Sequence, residues 1–198
     1  NHGTLIFANA TAQTSSINVS GSGVLIKNSP GTLTLNGNLT YNNLTIVNAG
    51  TLDLPVAPPP GGISNNSLVI FRPNTSITYS GSMSGSGALN INASGQTITL
   101  NGTSTYSGGT TNSGGTLNLS SDRATGTGPV VYLGQPIRLG NGVVITNTFV
   151  VPSSTSDGML DCVSGTATWA GDIVLTGGGA QFRPSGVNGT LRLTGNGA

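Results

Sequence analysis

The chain repeats itself. Residues 20–37 read SGSGVLIKNSPGTLTLNG and residues 84–102 read SGSGALNINASGQTITLNG. The offset is 64 residues up to Gly31 and Gly95, and one inserted residue makes it 65 by Leu35 and Leu100. Tyr41 then answers Tyr106, and Gly50-Thr51-Leu52 answers Gly115-Thr116-Leu117. A partial copy closes the chain, where GTLRLTGN at 189–196 mirrors GTLTLNGN at 31–38, and a fragment, GTLIF at 3–7, opens it. Self-similarity on a period of tens of residues is the signature of units that cover one another by stacking.

Within each copy, apolar and small polar residues alternate with period two. Leu33/Leu35, Leu52/Leu54, Ile98/Leu100, Leu117/Leu119 and Leu191/Leu193 fall on one side of a strand, with Thr32, Thr34, Thr51, Thr99 and Thr116 on the other. Ser67–Arg72, Val130–Leu133, Val143–Val151 and Ile173–Leu175 are further strand candidates. Asn-Gly at 36–37, 101–102, 141–142 and 188–189, and Gly-Gly at 61–62, 108–109 and 114–115, supply the turns between them. Gly (32), Thr (27), Ser (23) and Asn (21) make up about half of the 198 residues, while Glu is absent and Lys27 is the single lysine. Such a chain lacks the residues that coat helices, so the fold class is all-β. With 35% hydrophobic residues it is not the low-hydrophobicity composition of a disordered chain.

A β-sandwich has no reason to repeat its sequence, whereas a β-solenoid does, because each coil stacks its strands on the one before. The expected architecture is therefore a parallel β-helix (β-solenoid) over residues 1–198 as a single domain. The repeat reads as about three coils of roughly 20–22 residues, and the chain as about nine. The breaker-rich segment at 55–62, PVAPPPGG, is expected to bulge from one coil as a polyproline-like loop, since proline has no N–H for a ladder.

The chemistry is sparse. A net charge of +1 supplies no basic patch for nucleic acid and no polybasic membrane anchor, and no apolar run approaches the roughly 20 residues of a membrane span. Only five carboxylates exist, Asp53, Asp122, Asp157, Asp161 and Asp172. Asp157 and Asp161 form the one close pair that a polysaccharide-cleaving β-helix enzyme or a calcium site would use, and surface turns are the plainer reading. His2 has no evident partner, and Cys162, with no paired His, reads as a small buried residue, an intermolecular disulfide being the lesser alternative. Gly85-Ser86-Gly87 lacks the Lys of a phosphate loop, and the nine aromatics form no sugar-stacking stripe; Tyr41 and Tyr106 are expected to pack on neighbouring coils. No catalytic, cofactor-binding or metal-binding residue is assigned. Ten Asn-X-Ser/Thr sequons, at Asn9, Asn18, Asn38, Asn43, Asn65, Asn74, Asn92, Asn101, Asn118 and Asn188, leave glycosylation open at no particular site.

The segment GTLTLNG at 31–37, with TYSGGTT and GGTLNL at 105–119, resembles the autotransporter-associated β-strand repeat. Residues 95–119 are the best copy; residues 31–54 keep both ends, place Lys27 where a lysine is often seen, and carry Asn42-Asn43 in place of Ser-Gly-Gly. The resemblance implies a right-handed parallel β-helix in a secreted, bacterial cell-surface protein. It carries over no catalytic or binding residues, because that motif is structural.

The ends attract attention because an uncharged edge strand templates pairing with another chain. The chain opens on the closing strand of a repeat and stops partway through another, with no charged cap. Either it is a piece of a longer solenoid or it is a subunit that stacks head to tail, through Gly3, Thr4, Leu5 and Phe7 at one end and Gly189, Thr190, Leu191 and Leu193 at the other. The expectation is a non-enzymatic extracellular structural protein whose partners are copies of itself in a filament. A passenger segment of an adhesin that binds host surfaces or glycans is the alternative, and a polysaccharide-cleaving enzyme the third reading.

Overall fold

Strands that bury leucine on alternate residues and carry threonine between them need a second sheet face to close on, and here they find it within the same coil. The computed structural model describes residues 2–152, 160–177, 182 and 189–195. Every named strand pair is parallel, and among the described residues there is no helix. The chain winds through three faces per turn. On the first face Thr4–Phe7, Val24–Lys27, Thr45–Val47, Ile63–Asn65 and Met83–Ser84 form a five-stranded sheet, and higher up Val144–Ile145, Gly165–Trp169 and Gly189–Leu193 form a three-stranded one. Between them the backbone climbs by single bonds, Thr105 N–H to Met83 O and Ser104 N–H to Arg123 O.

The second face stacks nine strands: Gln13–Ser15, Thr32–Leu35, Thr51–Leu54, Leu68–Phe71, the first parts of Ala88–Leu100 and Thr110–Leu119, then Val130–Tyr132, Phe149–Val151 and Ile173–Leu175. The third face carries Ile77–Tyr79, the second parts of the two long strands, Ile137–Leu139 and Leu160–Cys162. Nine rungs at about 4.8 Å give a rod of roughly 40 Å. One continuous core runs along its axis: Leu33, Leu52, Val69 and Leu89 are stacked partners, each no more than 2% exposed, as are Ile98, Leu117 and Ile137. The alternation read from the sequence thus points the leucines inward. The 143–151 stretch departs from expectation: it divides into Val144–Ile145 and Phe149–Val151 on two different faces, with the corner between them.

The sequence repeat and the structural turn are not commensurate. Climbing from Leu33 through Leu52 and Val69 to Leu89 takes three turns, but the counterpart of Leu33 in the second copy is Ile98, which lies on the next face over Ile77. Successive copies are therefore rotated by one face as they climb. Each copy places two threonine-led strands on adjacent rungs, three of the four opening Gly-Thr and the fourth Gln96-Thr97: Thr32 pairs Thr51, and Thr97 pairs Thr116. Gly50, Gly115 and Gly165 open such strands with φ of 68°, 82° and 67°, a left-handed turn that glycine adopts without strain.

The proline segment also departs from expectation. It does not bulge. Residues 55–62 form the third side of a short turn, with Pro58 and Pro59 buried, Val56 packed against the core, and the second-face ladder stepping directly from Thr51 to Leu68. Prolines lack the N–H that a ladder needs, so the third face has no strand at this level; Tyr79 O–H reaches across to Gly61 O at 3.2 Å instead.

Candidate functional site

The residues that carry chemistry are spread along the rod rather than gathered. Asp53, on the third rung of the second face, accepts from Thr34 Oγ1 at 3.1 Å, from Arg72 Nε at 3.1 Å and from the second Arg72 nitrogen, which makes it the centre of a rung-to-rung tie. Asp122 accepts from Val144 N–H at 2.8 Å at an exposed corner. Asp161 lies under the outer turns with its carboxylate 3.9 Å from Arg138 Nε. Asp157 lies outside the described residues, so the pair it forms with Asp161 in sequence has no described geometry. His2 Nδ1 meets Ser22 Oγ at 2.7 Å on the first two turns. Cys162 is a buried free thiol stacked on Leu139, its S–H donating to Ser164 O at 3.3 Å, in line with the small-core-residue reading. Among the described residues no three His, Cys, Asp or Glu side chains come together to hold a metal ion.

Inside the coil, polar groups instead tie the corners. Tyr41 and Tyr106 are buried at equivalent places in the two copies. Their hydroxyls share hydrogen bonds with Thr45 (2.6 Å) and Thr110 (2.5 Å), four residues on in each case. Replacing either hydroxyl, as Tyr41→Phe or Tyr106→Phe, is expected to cost about 1 kcal/mol in urea unfolding, the ordinary worth of one buried hydrogen bond. Lys27 is fully buried; its ammonium donates to Ser29 O at 2.6 Å and Ala49 O at 2.9 Å, and burial lowers its pKa. Asn147 donates to Gly126 O (3.1 Å) and Gly128 O (2.6 Å), accepts from Thr125, and its own carbonyl takes the Trp169 indole N–H at 2.9 Å. Asn112 closes another corner on Gly115, Gln135 and Pro136 carbonyls. No motif in the sequence assigns these amides to the corners, yet one signal marks them. Asn65, Asn112 and Asn147 sit on the inward phase of the alternation, in step with Ile63, Thr110 and Ile145. Of the sequons, Asn65 is closed to any glycan by its burial, and Asn188 lies outside the described residues.

The two ends are where the fold leaves material exposed. Thr4–Phe7 is the outermost strand of the five-stranded sheet, pairing Val24–Lys27 on one side, with Gly3 O accepting from Val24 N–H at 3.1 Å. Gly189–Leu193 is the outermost strand of the three-stranded sheet, pairing Gly165–Trp169. The opposite edge of each bears no strand among the described residues. Gly189, Thr190, Leu191 and Leu193, with Leu160, Asp161 and Phe182, line a cavity of about 320 Å³ where the core opens at the upper end.

The model of the passenger-associated-transport-repeat family matches residues 25–54 and 93–119, the two copies described above. No curated protein and no solved structure matches the chain. The match supports an autotransporter passenger repeat family, and repeat and solenoid together fit an autotransporter passenger domain. That family implies a secreted or cell-surface protein.

Proposed function

For a chain built on two passenger-associated-transport repeats, we propose a non-enzymatic, extracellular structural role: a β-solenoid rod that stacks head to tail on copies of itself into a surface filament. What supports this reading is the apolar surface left exposed on the outermost described rungs. Among the described residues, five of the nine exposed large hydrophobics lie there: Ile6 (54%), Ile17 (46%), Val174 (40%), Leu175 (51%) and Leu193 (45%). The inward leucines of the second- and third-face columns, such as Leu33, Leu52, Leu89 and Leu117, are no more than 2% exposed. Arg192 is the one charged side chain on these outermost strands, and one charge is a weak bar to edge pairing. Among the described residues, Asp53, Asp122 and Asp161 stand on different turns, which supports the non-enzymatic part, because acid–base cleavage of a glycosidic bond needs two carboxyl groups within about 10 Å; Asp157, the sequence neighbour of Asp161, lies outside them.

Electron microscopy of the purified protein tests the reading. Filaments of constant width are expected, lengthening with concentration. Dispersed particles of roughly 40–45 Å at high concentration would overturn it and favour a passenger segment of an adhesin, which glycan or host-surface binding would then identify.

A further inference from the structure

We propose that Asn36 and Asn101 are sites of spontaneous covalent modification, each deamidating through the backbone nitrogen of the glycine that follows it. Asn141, in the same Asn-Gly dipeptide, is held against this reaction.

The step consumes only water. The backbone nitrogen of the next residue attacks the side-chain carboxamide carbon. An N–Cγ bond forms, the Cγ–Nδ2 bond breaks, and ammonia leaves with the proton that the backbone nitrogen gives up. Water then adds across one of the two C–N bonds of the resulting five-membered imide. One opening gives Asp; the other gives isoaspartate, in which the main chain runs through the side-chain carbon. A following glycine favours attack, because it has no Cβ to crowd the nitrogen and its backbone rotates most freely into the reactive geometry.

The fold keeps that glycine in place. A Cβ on Gly37 would run into Ile17 O, and one on Gly102 into Gly81 O, so neither corner admits a larger residue. Close stacking of the rungs thus retains the reactive dipeptide in both sequence copies.

Exposure does not separate the three asparagines, since Asn36, Asn101 and Asn141 are all exposed. Hydrogen bonding does. Asn141 Oδ1 accepts from Thr166 N–H at 3.0 Å, while Gly142 N–H donates to Thr166 O at 2.8 Å. Carboxamide and attacking nitrogen are both fixed to one residue of the next turn, and both bonds must open before the two can meet. Asn36 and Asn101 hold the rung below through their own N–H groups, to Ser15 O at 2.8 Å and Tyr79 O at 2.9 Å. Among the described residues nothing is hydrogen-bonded to either carboxamide, or to the N–H of Gly37 or Gly102. Their reacting groups are unclamped.

The two sites sit at different corners of the coil. Asn36 follows Thr32–Leu35 as the chain leaves the second face, and Asn101 follows Ala88–Leu100 as it leaves the third. Each conversion puts a carboxylate where the rod had a neutral amide, and two take the formal net charge from +1 to −1. The rod gains charge with age at fixed places.

The test follows the intact folded protein over time at mildly alkaline pH. Peptide mass spectrometry reads the replacement of NH2 by OH at each site, and enzymatic methylation reads isoaspartate. Asn36 and Asn101 are expected to convert about tenfold or more faster than Asn141, whose two hydrogen bonds must open first. In urea-unfolded protein the three rates are expected to converge, because only the shared dipeptide remains. Asn141 converting as fast as the other two in the folded protein would overturn the proposal. So would Asn36 or Asn101 staying intact in the folded protein over a time in which the unfolded protein converts.

Discussion

Above pH 10 the solenoid is expected to unfold steeply, with tyrosinate absorbance appearing together with the loss of its β-sheet circular dichroism. Three tyrosines are responsible. Burial pushes Tyr41 up to about 12, and pushes Tyr79 and Tyr106 up as well. In the unfolded chain the same hydroxyls ionise near 10. Between these values the unfolded state releases protons that the folded state retains. The stability linked to each group is therefore complete below pH 10 and is lost as the pH rises through the folded pKa. Each tyrosine takes away about 1.4 kcal/mol per pH unit, so three remove roughly 4 kcal/mol per unit from a fold whose whole stability is on the order of 5–15 kcal/mol. Lys27 works in the opposite sense, since its lowered pKa makes the fold gain stability as the ammonium deprotonates, but it is one group against three. A Tyr41→Phe/Tyr79→Phe/Tyr106→Phe variant that unfolded at the same alkaline midpoint would show that this account is mistaken.

Truncating the stacked leucines is the second large effect. Leu52 and Leu117 occupy equivalent places in the two copies, each fully buried, with Leu33 below and Val69 above the first, and Ile98 and Ile137 flanking the second. Each Leu→Ala change removes buried apolar surface and leaves a cavity between rungs that the hydrogen-bonded backbone cannot close. A loss of about 2–5 kcal/mol is expected for each. Because the environments are copies, the two losses should agree to within about 1 kcal/mol, a tighter match than chemically identical changes usually show. Leu193→Ala removes a side chain that is nearly half exposed and should cost the dispersed protein less than about 1 kcal/mol. Urea unfolding of the three variants checks the ranking, and a Leu193→Ala loss equal to the other two would contradict it.

Much of this fold could be read from the residue order because its rules are local. Alternation marked Leu33, Leu52, Ile98 and Leu117 as inward and the threonines between them as outward, since a strand presents successive side chains to opposite faces. Repetition of Gly-Thr-Leu marked stacking. What alternation does not encode is the angle at each corner. The rotation of Ile98 onto the face beside Leu89 depends on how many residues each turn spends in its bends, and that varies along the chain. The buried prolines differ from the sequence expectation for a related reason. Proline's inability to join a ladder excludes a strand at 55–62, but it leaves open whether the segment points out or lies flat on a core that Val56 helps to fill. The corner amides show the limit most clearly. Asn112 and Asn147 have the parity of core residues, and only neighbouring carbonyls brought close by the winding turn that parity into a hydrogen-bonded site.

The one-face rotation of successive repeats has a mechanical consequence. Had each copy begun on the same face, its paired threonine-led strands would lie in a single line and the proline break in another, and a lateral force would find a stiff side and a soft one. Distributed around the axis, the same elements give similar resistance in every direction once all three faces have been visited. A rod of this kind has no single hinge side about which to fold over.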